Sequence, residues 1–177
     1  MKAAIAAAFS LAAFASALPA NADNLKFKGG IGVIPVSSGA DPVTPPDPNK
    51  NSNVNRNVVR GVQPPGQIWV IEDLKADIDL DSGRVRVDGR GLLLGGGNGI
   101  GGNANQSVRA TLICSTVITP PATTPPLFDS ALVPLAANGD FRIDDVLTPL
   151  PPRVCDSPVL LIRNPAGAWF AAGIPKL

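Results

Sequence analysis

Apolar and polar residues alternate with a period of two through much of the chain beyond residue 70. In LKADIDLDSGRVRVDGRG, Leu74, Ala76, Ile78 and Leu80 alternate with Lys75, Asp77, Asp79 and Asp81. After Ser82 and Gly83 the order resumes, with Val85 and Val87 set among Arg84, Arg86, Asp88 and Arg90. Successive strand residues face opposite ways, so the stretch reads as a hairpin with one apolar and one charged face. A two-residue Ser-Gly loop predicts Leu80 opposite Val85 and Ile78 opposite Val87, with Asp79 facing Arg86 and Asp81 facing Arg84 outside. A slip of one residue would set apolar against charged side chains at every step, so both patterns select one register.

The same logic extends along the chain. QSVRATLICSTVI (106–118) places Val108, Ala110, Leu112 and Cys114 on one face and Arg109 and Thr111 on the other. In AANGDFRID, Asn138-Gly139 is a turn leading into a strand with Phe141 and Ile143 inward, Arg142 and Asp144 outward. VLLIRNPAGAWFAAGI reads as two strands joined at Asn164 to Gly167, and their apolar character on both faces predicts a central or covered position. Leu25 and Phe27 alternate with Lys26 and Lys28 ahead of Gly29-Gly30, which predicts an N-terminal edge strand within residues 23–36.

Composition turns these segments into a fold class. A single Glu, Glu72, few helix formers and no long run of period 3.6 argue against helices. Prolines concentrate in residues 35–65 and 120–152, and proline is excluded from helix interiors and central strands. The prediction is an all-β fold, a single antiparallel β-sandwich or small barrel over residues 67–177. It is preceded by a Pro/Asn-rich exposed loop or disordered linker at 37–66.

The first 22 residues, MKAAIAAAFSLAAFASALPANA, have one lysine, an apolar run and the small residues Ala20 and Ala22 around Asn21, the layout of a signal peptide cut after Ala22. The alanine-rich leader has a bacterial look, so the expected location is periplasmic or extracellular. Nothing after it approaches the length of a membrane-spanning helix. Without Lys2, 14 basic residues balance 14 acidic ones, which disfavours nucleic acid as a partner. Export gives Cys114 and Cys155 an oxidising environment, in which a disulfide is expected; the alternative is two buried free thiols.

Several motifs invite chemistry. In GGGNGIGG, Gly97, Gly99 and Gly102 spell G-x-G-x-x-G. A dinucleotide site needs a helix after this loop and an acid about 20 positions on. The loop leads instead into the alternating QSVRATLIC, so no cofactor is expected, and the run reads as a mobile connection whose glycines serve close packing or positive-φ turns. Asp77, Asp79, Asp81 and Asp88 occupy positions 1, 3, 5 and 12 of a calcium-loop pattern, but position 6 is Ser82 and the flanks are strand-like. Calcium is therefore the lesser reading of these four. Asn105-Gln106-Ser107 matches a glycosylation acceptor, with no modification expected in a bacterial protein.

The chain has no histidine and no tyrosine. That removes the Ser-His-Asp and Cys-His systems and histidine metal sites, and two cysteines are too few for structural zinc. Carboxylate chemistry remains, with Glu72, Asp73, Asp144 and Asp145 as candidates for glycoside hydrolysis. Trp69 and Trp169 are the candidate ligand contacts, for stacking on a sugar or anchoring a protein partner, against a reading in which both are core. Because Trp169 and Phe170 are adjacent, one must face outward unless both faces of the strand are covered. The leading function is an exported non-catalytic β-domain with a structural or binding role, with an unknown protein or glycan as partner. The alternative is an exported carboxylate hydrolase or carbohydrate-binding module.

A bridge between Cys114 and Cys155 closes a loop whose chain entropy is worth about 4 kcal/mol. Replacing both cysteines with serine is expected to lower the unfolding free energy by about that amount, and an unchanged denaturation midpoint would contradict it.

Overall fold

The computed structural model describes residues 24–38, 54–114 and 125–176. The expected signal peptide (1–22), half of the Pro/Asn-rich segment (39–53) and the end of the strand expected at 106–118 lie outside the described residues. The described chain is all-β and without helices, as the periodicity requires. Its strands are β1 (Leu25–Gly32), β2 (Pro35–Ser38), β3 (Val54–Arg56), β4 (Trp69–Val70), β5 (Asp73–Ile78), β6 (Arg84–Arg90) and β7 (Leu93–Leu94). They continue with β8 (Ser107–Ile113), β9 (Leu127–Asp129), β10 (Val133–Pro134), β11 (Phe141–Val146), β12 (Val159–Arg163) and β13 (Trp169–Pro175).

One antiparallel sheet, ordered β10-β8-β12-β13-β1-β5-β6-β11 with β9 also on β8, curls into a half-barrel. A small second sheet pairs β4 with β7, and β2 pairs β3. The apolar β12–β13 hairpin lies in the middle of the path, as its two-sided hydrophobicity predicts. Cys114, at the end of β8, and Cys155, ahead of β12, form the expected disulfide, with Cα atoms 4.9 Å apart.

β1 is not an edge strand. Its backbone pairs with β5 on one side and β13 on the other, as in Phe27 opposite both Ala76 and Pro175. Lys26 and Lys28 are exposed as expected, but side-chain exposure reports the face of a sheet and not its edge. The register on β13 shifts between Phe27 and Gly30, and Gly29 has φ +88° there, a bulge that glycine accommodates without strain.

The β5–β6 hairpin keeps the predicted faces with a different register. Ile78 lies opposite Val85, Asp77 opposite Arg86 and Ala76 opposite Val87, a shift of two from the Ser-Gly expectation. The loop runs from Leu80 to Gly83, closed by the Asp79 N–H donating to the Arg84 carbonyl at 2.9 Å. A shift of two preserves which residues face inward, so hydrophobic patterning does not distinguish the two registers. Burial of Leu80 in the turn and capping by the Asp79 carboxylate select the longer loop. Arg84 is thereby released to bond Asp144 on β11 at 2.9 Å, while Asp81 pairs with Arg153 at 3.3 Å.

The segment expected as an open linker is structured at both of its described ends. Ser37 and Ser38 pair with Asn55 and Val54, and Val62 is buried. Its low apolar content hides this, because the contacts are largely backbone bonds: the Trp169 N–H donates to the Gln63 carbonyl at 3.1 Å, and the Trp169 indole N–H to the Asn57 carbonyl at 3.2 Å.

The core is tightly filled. On the inner face one row reads Leu74, Gly89 and Phe141, and the Phe141 ring occupies the space where a side chain at Gly89 would begin. The turn at Asn138-Gly139 forms as expected, with Gly139 at φ +81° and its N–H donating to the Ala136 carbonyl at 2.8 Å. This turn joins β10 to β11, which stand at opposite ends of the strand path.

Reciprocal backbone bonds between Asp129 and Thr148, at 3.0 and 2.8 Å, link β9 to the chain just past β11. The Asp129 side chain works at the same place. It accepts from the Thr111 hydroxyl at 2.6 Å and pairs with Arg163 at 3.4 Å and Arg109 at 3.5 Å. Thr111 is fully buried there, against its expected exposure on the face opposite Val108: it lies between Asp129 on β9 and Leu161 on β12, its cross-strand neighbours. Burial pushes the Arg163 guanidinium below its ordinary value; Asp129 opposes that effect and Arg109 adds to it. Replacing Asp129 with alanine leaves two arginines facing each other without their shared carboxylate. The expected loss is about 2 kcal/mol, between the values for exposed and for buried ion pairs, because Asp129 is half-buried; a chemical denaturation midpoint matching the native protein would overturn this role.

Candidate functional site

Trp69 arrives on β4 and Phe170 on β13, and their rings stack with centroids 3.9 Å apart and planes 8° from parallel. This contact seats the small β4–β7 sheet on the large one. Trp169 faces the other side of β13, under residues 57–63. Both faces are therefore covered, and Trp69, Trp169 and Phe170 are all buried. Of the two expected ligand contacts, Trp69 borders a cavity. That cavity is about 310 Å³ and is lined also by Phe170, Leu94, Gly99 and three amide side chains, Gln67, Gln106 and Asn164.

The glycine run reaches this cavity at Gly99. The sheet-end bond from the Gly95 N–H to the Ile68 carbonyl, at 2.9 Å, starts it. The Leu94 N–H then donates to the Gly102 carbonyl and the Gly101 N–H to the Leu94 carbonyl, both at 2.9 Å. The N–H groups of Ile100 and Gly102 donate to the Gly97 and Gly99 carbonyls, at 3.3 and 3.0 Å. A phosphate-binding loop offers such donors to its ligand; here the N–H groups of Leu94, Gly95, Ile100, Gly101 and Gly102 are spent within the loop and on its neighbour strand. The run expected as a mobile connection is thus tied by five backbone bonds. Gly97 and Gly101 have φ of +74° and +78°, and a Cβ on Gly95 would lie 2.7 Å from Val70, so positive φ and close packing both account for glycines here.

The amides are positioned by the loops that carry them. The Asn164 side-chain oxygen accepts from the Ala168 N–H at 2.9 Å, which fixes the β12–β13 turn at the rim. The Gln106 amide donates to the Ala104 carbonyl at 3.3 Å, just after Ala104 and Asn105 take positive φ. Sequence reading missed these amides because they are scattered at positions 67, 106 and 164, with no local spacing to connect them.

The four aspartates of the calcium pattern are not gathered around one point. Asp77 lies opposite Arg86, and Asp88 pairs with Arg142 at 3.7 Å. Asp79 turns back on its own loop, accepting from the Ser82 hydroxyl at 2.7 Å and the Asp81 N–H at 2.9 Å, and these bonds hold its carboxyl below the usual value. Among the described residues no three acidic or cysteine side chains are grouped to hold a metal ion.

The hydrolase candidates also diverge. Asp73 pairs with Lys75 at 3.4 Å, and Glu72 is exposed. Asp144 faces outward to Arg84, while Asp145 shares the inner side with Val85 and accepts from the Ala131 N–H at 2.6 Å.

Because Gly101 has open space around its Cα and a positive φ, the cost of a side chain there is conformational. Gly101→Val is expected to lower stability by about 1–2 kcal/mol, and Gly101→Asn to recover most of it; equal melting temperatures for all three proteins would contradict the assignment. Compared with protein-family models, curated proteins and solved structures, the chain matches none of them.

Proposed function

We propose that this protein is an exported, non-catalytic β-domain that works by binding, and that its recognition point is the cavity beside the glycine loop. The observation carrying this reading is the lining of that cavity: an aromatic edge and three primary amides, with no ionisable side chain. Amides donate and accept, and they orient an uncharged, hydroxyl-rich ligand against an apolar surface, which is the chemistry of a sugar ring. The leader-like first 22 residues and the disulfide support export. Among the described residues no helix is long and apolar enough to cross a membrane.

A hydrolase needs two carboxylates across the substrate, and the cavity lining contains none. Asp77 and Asp88 do border one larger cleft, but the register sets Asp77 opposite Arg86 and Asp88 opposite both Lys75 and Arg142. Each carboxylate is thus committed to cross-strand charge pairing, and the two are not set across an open substrate site.

Titration with neutral oligosaccharides, followed by tryptophan fluorescence, tests the reading because Trp69 borders the cavity. At least one glycan is expected to change the emission, and Gln106→Ala to weaken its binding about tenfold, the worth of one or two hydrogen bonds. The same mixtures should show no release of new reducing ends. An emission unaltered by every glycan would sink the proposal.

A further inference from the structure

The outward face of β1, β5, β6 and β11 carries charges whose order is set by register. One rung runs Lys28, Lys75, Asp88, Arg142, and the next runs Lys26, Asp77, Arg86, Asp144. From β5 to β11 the signs alternate, as cross-strand neighbours should. The alternation fails between β5 and β1, where Lys28 stands directly opposite Lys75. Lys176 adds a further cation beside Lys26, its N–H donating to the Lys26 carbonyl at 2.8 Å. Arg84, Arg86 and Arg142 each have an aspartate, whereas Lys26, Lys28 and Lys176 have no ion pair among the described residues.

These lysines are not spread over a flat wall. Lys26, Lys28, Lys75 and Lys176 border a surface cleft of about 680 Å³, and Lys26 and Lys176 also border a second of similar size together with Arg60. The first cleft is also lined by Asp77, Asp88 and Arg86, so five cations there meet two carboxylates. Acidic and basic residues nearly balance over the whole chain, and that local excess is not a matter of composition.

We infer that this lysine face binds a phosphate group. Like charges placed directly opposite each other are unfavourable in the free protein, and an anion between them converts that repulsion into attraction. Lysine presents a compact charge with three donors on a flexible stem, suited to a tetrahedral anion approached from several sides; planar carboxylates favour the arginine fork. Residues two apart on a strand lie about 7 Å apart, and opposite residues about 5 Å. Lys26 and Lys28, with Lys75 beside them and also paired with Asp73 at 3.4 Å, therefore lie within reach of one phosphate. This site shares no lining residue with the cavity beside the glycine loop, and either can fail without the other.

The test uses the full chain at low salt with inorganic pyrophosphate as the soluble probe and phosphatidylglycerol vesicles as the lipid one. Pyrophosphate is expected to raise the melting temperature, and the Lys26→Gln/Lys28→Gln/Lys176→Gln variant to lose about tenfold or more in affinity, as does native protein at high chloride. Arg142→Gln, which removes a cation already paired with Asp88, should bind as the native protein does. Without ligand the triple variant should melt at or above the native temperature; if it fails to fold, Lys28→Gln alone carries the comparison. Lysine-dependent capture on vesicles assigns the phosphate to a lipid headgroup, and a response to pyrophosphate alone assigns it to a soluble phosphate compound. Equal responses from native and variant protein, or none to either probe, would overturn the inference.

Discussion

The fold depends on how its curled sheet is fastened where its ends approach, and Asp129 is the residue through which that happens. Its backbone exchanges hydrogen bonds with Thr148, and its carboxylate holds Thr111 on β8 and Arg163 on β12. A strand edge left open presents unpaired donors and acceptors to other chains. Here a three-residue strand, β9, fills that position, and side-chain charge does what a longer ladder would otherwise do. The cost is visible in Arg109, whose Nε has no hydrogen-bond partner among the described residues while its terminal nitrogen reaches Asp129.

Closure also explains the distribution of small residues. A sheet that curls tightly leaves little room on its inner face, so large rings must lie over positions without side chains. Phe141 over Gly89 is one case. Gly139 answers a different constraint, since in its turn a Cβ would fall 2.6 Å from the Leu92 backbone. With the interior filled in this way, the cavities lie at the rims and on the outer face: the amide-lined one beside the glycine loop, and the lysine clefts beside β1.

The sequence discloses faces well and neighbours poorly. Period-two alternation correctly placed Ile78, Val85, Val87, Phe141 and Ile143 inside, because burial depends on the side of the strand a residue occupies. It did not reveal that β1 is central, because hydrogen bonds on both sides of a backbone leave no mark on side-chain pattern. Nor did it separate two registers differing by two residues, which bury the same set. The cysteine pair was legible from its count and from a leader-like N-terminus. The candidate cavity was legible only in Trp69: Gln67, Gln106 and Asn164 meet through the folding of three separate connections, and a single amide in a loop carries no spacing signal. Asp129 escaped notice for a similar reason, since its partners lie 18 and 34 positions away.

The pairing of β1 with β13 places the sheet's most distant partners at its centre. β1 fits into a slot between β5 and β13, which lie far apart in sequence. Without β13, β1 and β12 would both face an empty lane in the middle of the sheet. Loss of that one strand would therefore open the sheet at its centre, not fray it at a margin.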